Sequence, residues 1–248
     1  MESFSESLKH WRAKRRMSQL DLAMEADVSA RHISFLETGR ARPSRDMVLH
    51  LSETLDVPFE ARNRMLGSVG FAPRFGARDW DDAEMAPIRQ AIDWTLSRHA
   101  PYPGVALNRL WVIERLNDPA RRLFGALGAA EGVSMLDLIM SPSVQGAIEN
   151  WPEVARHTVL RLRSESASQG GVPALEDAAD RLSEGAGPQE AGAPAIPTIF
   201  ILGTQRLALI GTIAQFATTA DQTLEELRIE LFFPADDAAA ALLRAMAD

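Results

Sequence analysis

The sequence contains no cysteine. That excludes a disulfide framework, a thiolate zinc site and a cysteine nucleophile, and it removes any need for an oxidising compartment. Lysine is nearly absent, with Lys9 and Lys14 alone against 24 arginines. A Ser-Lys self-cleavage dyad within the second half is therefore excluded. The five histidines, His10, His32, His50, His99 and His157, make no HExxH or HxH pair, so a histidine-based metal set is missing. GxxxxGKS/T, GxGxxG and GxSxG are missing as well. Neither catalysis nor a cofactor is expected. No apolar run approaches the ~18 residues of a membrane span, and the opening "MESFSESLKHW" lacks the apolar region of a signal peptide. The expected location is cytoplasmic, with no membrane partner.

What is present is a chain of 248 residues, 46% hydrophobic, enough for one or two domains. The net charge of -8 is unevenly spread. Residues 9 to 45 hold nine basic and four acidic groups, a local +5, whereas residues 69 to 248 hold 15 basic and 24 acidic, a net -9. A basic patch on a small segment suits a phosphate-bearing partner, although an ordinary solvated face reads the same way.

Five short helices fit residues 1–68. Leu8 and Trp11 stand at i,i+3 in the first. Ser18 suits the cap of a second, which carries Leu20, Leu22, Ala23 and Ala26. "ADVS" then interrupts the period, and Ser29 opens a third helix with Ile33 and Leu36 inward and Gly39 as its stop. Pro43 and Ser44 open a fourth, and Pro58 precedes a fifth. Two helices around a short turn form a helix-turn-helix, whose later helix enters the DNA major groove. With Ile33 and Leu36 inward, Ala30, Arg31, Ser34 and Phe35 point outward. Phe35 then lies against thymine methyls or, alternatively, in a dimer contact, and Arg31 reaches guanine O6 and N7. Gln19 falls beside a phosphate or an adenine edge, while Arg40, Arg42 and Ser44 hold the backbone.

The stretch "SQLDLAMEADVSARHISFLETGRARPSRDMVLHLSETLDV" resembles the XRE (Cro/C1-type) helix-turn-helix family across residues 5 to 68. By that resemblance Gln19, Ser29, Ala30, Arg31 and Phe35 occupy DNA-facing positions, and Arg12 with Glu37 forms an internal ion pair. Ala30 departs from the polar residue often found there.

Residues 69–86, with "GFAPRFGARDWDD", read as a linker. In residues 87–248, Pro87 opens a helix bearing Ile88, Ile92 and Leu96. Val105 and Leu107, then Trp111 and Ile113, alternate around Asn108 and Arg109 as a hairpin. Asn117 or Asp118 caps a short helix, and Trp151, Val154, Thr158 and Leu162 mark a longer one. From Thr198 the period becomes two: "TIFIL", "LALIGTIAQF" and "ELRIELFF" are strands, the last with Ile229, Leu231 and Phe233 on one face and Arg228 and Glu230 on the other. Asp236 or Asp237 caps a final helix. The fold class is an all-α five-helix head followed by an α+β domain with a mostly antiparallel sheet. The breaker-rich residues 184 to 195 suit a gate.

"PYPGVALNRLWVIERLNDPARRLF", "NWPEVARHTVLRLR" and "TLEELRIELFFPADD" resemble the PAS-like ligand-binding domain of MmyB-like regulators. The resemblance implies a small-molecule sensor with fatty-acid-like ligands. Trp111, Phe124, Trp151, Phe200, Leu202, Phe216, Ile229, Leu231 and Phe233 either line an apolar pocket or simply fill the core. The reading of the whole is a ligand-responsive transcription regulator, a homodimer on a double-stranded DNA operator that senses a small hydrophobic molecule. The alternative is an antitoxin or repressor whose second half docks a protein.

Overall fold

The first five helices follow from their caps. In a computed structural model that describes residues 2–76, 78–187, 195–216 and 221–247, they are α1 (Phe4–Lys14), α2 (Gln19–Glu25), α3 (Ala30–Glu37), α4 (Arg45–Thr54) and α5 (Phe59–Ser68). Ser3 and Ser18 each form a capping box, with Glu6 and Asp21 as the reciprocal acceptors, while the Ser29 and Ser44 hydroxyls accept the His32 and Met47 amides. Each cap satisfies amides that a helix start leaves without partners. Leu8, Leu22, Ile33, Leu36, Val48, Leu51, Leu55 and Leu66 are fully buried in a common core. These helices lie in the first of two compact units, Met1–Ala77 with Ala220–Glu225.

The turn between α2 and α3 depends on Asp27, whose φ of 50° lies in the left-handed region. The Val28 amide closes the turn by donating to the Ala23 carbonyl, and His50 Nε2 lies 2.7 Å from the Ala26 carbonyl oxygen. Asp tolerates this backbone better than a β-branched residue does. Asp27→Val should therefore cost about 1–2 kcal/mol, whereas Asp27→Gly should be neutral or slightly stabilising. Thermal unfolding of the two variants side by side checks this, and equal effects would refute it.

The second unit, Arg78–Thr219 with Glu226–Asp248, divides the expected linker at 69–86, whose last residues belong here. Its elements are α6 (Ala86–Arg98), β1 (Gly104–Leu107), β2 (Ile113–Leu116), α7 (Asp118–Phe124), α8 (Met135–Met140), α9 (Pro142–Gly146), α10 (Trp151–Ser168), α11 (Pro173–Ser183), β3 (Thr198–Leu202), β4 (Gln205–Ala214), β5 (Arg228–Pro234) and α13 (Asp237–Ala245); α12 (Gln222–Glu226) crosses the boundary between units. Asn117 caps α7 and Asp236 caps α13. The sheet runs β2-β1-β5-β4-β3, antiparallel throughout. Main-chain segments lie along its outer strands: Ile113 exchanges hydrogen bonds with Gly132 and Val133, and the Ile199 carbonyl and Ile201 amide bond Glu149 and Ala147.

One sheet face packs on α6. Ile92 and Leu96 meet Ala106, Ile229, Leu231 and Phe216 there. The approach is close at Gly104, where a Cβ would stand 2.9 Å from Leu96 Cδ2 and 3.3 Å from Leu231 Cδ2, so a larger residue would require these leucine side chains to shift. The other face turns toward α7 to α10.

Candidate ligand cavity and nucleic-acid interface

Between that second face and α7 to α10 lies a cavity of about 330 Å³. It falls within the ~300–1,000 Å³ range of small-molecule sites. Trp111, Phe124, Trp151 and Phe200 line it, with Val154, Phe232 and a floor of Gly211, Thr212 and Ile213 from β4. Leu202, Phe216, Ile229, Leu231 and Phe233 do not. The reason is the parity of β5. Ile229, Leu231 and Phe233 do share a face, but Ile229 and Leu231 pack toward α6, and Phe233 meets the rings of His99 and Tyr102. Glu230 and Phe232 face the cavity instead. Phe216 belongs to the α6 side, and Leu202 packs in the neighbouring core without reaching the lining. The gate expected over 184–195 falls largely on 188–194, outside the described residues.

One wall is charged. Arg161 Nε donates to Glu165 Oε1 at 2.8 Å, and its Nη2 donates to Glu230. Arg228 Nη1 donates to Glu165 Oε2 at 2.8 Å, and the same oxygen accepts from Trp111 Nε1 at 2.9 Å. Arg228 and Glu230 are 7% and 8% exposed, a depth at which charges persist only when paired. Burial works against the charge on Arg161, yet Glu230 and Glu165 outweigh it and hold the guanidinium pKa above its ordinary value. For Arg228 burial prevails over Glu165, and its pKa is lowered.

Trp111 is held in an uncommon conformation, with φ at 60° for a bulky residue. Such strain costs about 1–3 kcal/mol and persists where the surroundings impose it. Here the indole lies under the Arg161 guanidinium, 4.4 Å from Cζ to the ring centroid, while its N–H is fixed by Glu165.

In the first unit, Arg12 binds Glu37 through two hydrogen bonds of 2.6 and 2.9 Å. Gln19 Nε2 donates to the same carboxylate at 2.7 Å, so this amide is anchored internally rather than turned wholly outward. Arg31 and Arg40 are exposed, and Ser34 and Phe35 are partly exposed. The Arg31 guanidinium covers the Phe35 ring at 5.1 Å. Ala30 leans on the core, and Arg42 Nη2 donates to the Val69 carbonyl at 2.8 Å. The Ser29 and Ser44 hydroxyls serve as caps, which leaves each a proton to donate.

A helix-turn-helix unit and an α+β unit enclosing an apolar cavity define a ligand-responsive transcription regulator. A helix-turn-helix family model matches residues 8–61, and the model of the MmyB-like transcription regulator ligand binding domain matches residues 88–246. The second covers more than half of the chain, and the chain belongs to that family. No curated protein matches it. Among solved structures it is similar to the PAS domain from Bordetella pertussis BvgS, at 12% identity over 67% of this chain and 96% of that one, with a TM-score of 0.30. Among the described residues, no helix is long and apolar enough to cross a membrane.

Proposed function

We propose that the protein binds a double-stranded operator as a homodimer and that a small hydrophobic molecule, of a size with a short acyl chain, enters the second unit and changes DNA affinity. The observation that carries this is the apolar cavity of about 330 Å³, lined by Trp111, Trp151, Phe200 and Phe232, in a chain that also bears a helix-turn-helix. A unit that only docks a protein has no use for such space. The DNA face comprises Gln19, Ser29, Ala30, Arg31, Ser34, Phe35, Arg40, Arg42 and Ser44. Arg31 reads a base, Arg40 binds phosphate, and the capping hydroxyls of Ser29 and Ser44 donate to the backbone. One unit reads few base pairs, so two copies bind half-sites ~34 Å apart. The ligand must favour one arrangement of the two heads, since equal affinity for both shifts nothing.

Native mass spectrometry with and without extraction, followed by operator titration of both forms, tests this reading. Co-purified small molecules and a DNA affinity that changes on their removal support it. Unoccupied protein whose DNA affinity no hydrophobe alters overturns it in favour of the protein-docking alternative.

Within the head, Arg31→Ala should cost about 1–3 kcal/mol and relax sequence preference, whereas Arg40→Ala should weaken all sequences alike and flatten the salt slope. Arg42 is the poorer phosphate probe, because its side chain already supports Val69. Equal loss of preference in both variants would sink the assignment.

A further inference from the structure

The cavity is apolar except at one wall, and that wall is electrically balanced. Among the described residues, the charged side chains on the lining are Arg161 from α10 and Glu230 from β5. Behind them stand Glu165 from α10 and Arg228 from β5. Two guanidinium groups thus face two carboxylates. Arg161 is bound by both carboxylates and Glu165 by both arginines. Arg109 pairs with Glu226 at 3.3 Å. A carboxylate entering this wall would be a third anion against two cations. Either it displaces Glu230 from Arg161, stranding a buried carboxylate, or it stays unpaired; both are unfavourable.

The remaining polar atoms suit an uncharged group. Thr158 Oγ1 donates to the Val154 carbonyl at 2.9 Å, and Thr198 from β3, on the face of Phe200, adds a hydroxyl that can donate or accept. The Thr158 hydroxyl has committed its proton to the main chain and retains lone pairs. Glu230 is likewise an acceptor. A ligand end that carries a hydrogen to donate meets acceptors at Thr158, Thr198 and Glu230, and its own oxygen can accept from the guanidinium.

We infer that the occupant is a hydrophobe ending in a neutral hydrogen-bonding group that both donates and accepts, such as a hydroxyl or primary amide, and that a free carboxylate is selected against. This rests on the cavity reading above and adds the chemistry of its polar end. A fatty chain enters as its alcohol or amide, not as the anion of the acid.

Decanol and decanoate carry the same chain and are the probes. Titrated into the full-length protein near neutral pH, with the fluorescence of Trp111 and Trp151 as readout, decanol should bind at least about tenfold more tightly, a difference of ~1.4 kcal/mol. Glu230→Gln removes one of the two carboxylates on Arg161 and leaves the wall with a net positive charge, so decanoate should gain and the preference should shrink or reverse. A measurement on the unaltered protein covers the case in which that variant fails to fold. Between about pH 8 and about pH 6, decanoate should gain close to tenfold per pH unit, because only its protonated form is accepted, while decanol, which does not ionise, stays level and serves as the control.

Decanoate binding as tightly as decanol, with no pH dependence, overturns the selectivity while leaving the cavity reading standing. Failure of both probes to bind at any pH removes the cavity reading and the selectivity with it.

Discussion

Arg12→Met is expected to destabilise the first unit by about 3 kcal/mol, toward the low end of the ~3–5 kcal/mol typical when one partner of a buried pair is removed. The Glu37 side chain is 3% exposed and that of Arg12 14%. Without the guanidinium, Glu37 keeps only Gln19, and its charge is left in the core. The effect should appear as loss of amide-exchange protection across α1 to α4 in the full chain. It carries a pH signature. Burial pushes the Glu37 carboxyl up, but hydrogen bonds from Arg12 and Gln19 and the charge of Arg12 outweigh burial and hold its pKa below the ordinary value. A depressed folded-state pKa gives stability that is fully present above the unfolded-state value and is lost as pH falls through the lower folded-state one. The parent should thus lose stability below about pH 4.5, and the variant should lose that increment of acid sensitivity. An unchanged exchange profile at neutral pH would show that the pair contributes nothing.

The second large effect lies at the cavity wall. Val154→Trp places an indole in space that is already empty, so ligand uptake should fall on the order of a hundredfold, ~2.8 kcal/mol. The stability loss should stay below the ~1–3 kcal/mol of an overpacked core. Leu231→Trp is the informative contrast. Leu231 packs toward α6, close beside Gly104, so its enlargement should incur the overpacking cost and leave uptake little changed. Ligand titration and thermal unfolding of both variants separate the cases, and identical behaviour would mean the cavity is not the binding site.

The difference between Val154 and Leu231 also shows where the sequence stops being legible. The helices of the first unit carry their own punctuation: Ser18, Ser29 and Ser44 as caps and Ile33 with Leu36 at helical spacing, so its elements could be read locally. The strands of the second unit were equally visible in their period of two. Which face of β5 looks into the cavity was not, because that depends on the pairing of Val105 with Glu230 and on which layer α6 covers. Arg228 and Glu230 read only as the face opposite Ile229, Leu231 and Phe233. They are buried because Arg161 and Glu165 reach them from α10, 63 to 69 positions away. The signal was present in part, since Arg161 and Glu165 stand at i,i+4. Helices of five and six residues, such as α9 and α8, are too short to show a period. The stripe of Leu175, Ala178, Ala179 and Leu182 in α11 was legible in principle, though its small alanines weaken it.

The segments lying along the two outer strands bear on how copies of this chain can meet. A sheet usually ends in a row of unpaired amides and carbonyls that invites another strand, the route to fibrils and to strand-exchanged dimers. Here the outward Ile199 amide is taken by the Asn150 side chain, the Ile199 carbonyl by Glu149 and the Ile201 amide by Ala147, while Ile113 is occupied at both its amide and its carbonyl. The margins of the sheet are hemmed at these positions, and another chain would have to unpick native bonds to extend it there. Self-association is thereby steered away from backbone templating and toward side-chain surfaces, where one geometry can be selected and reversed.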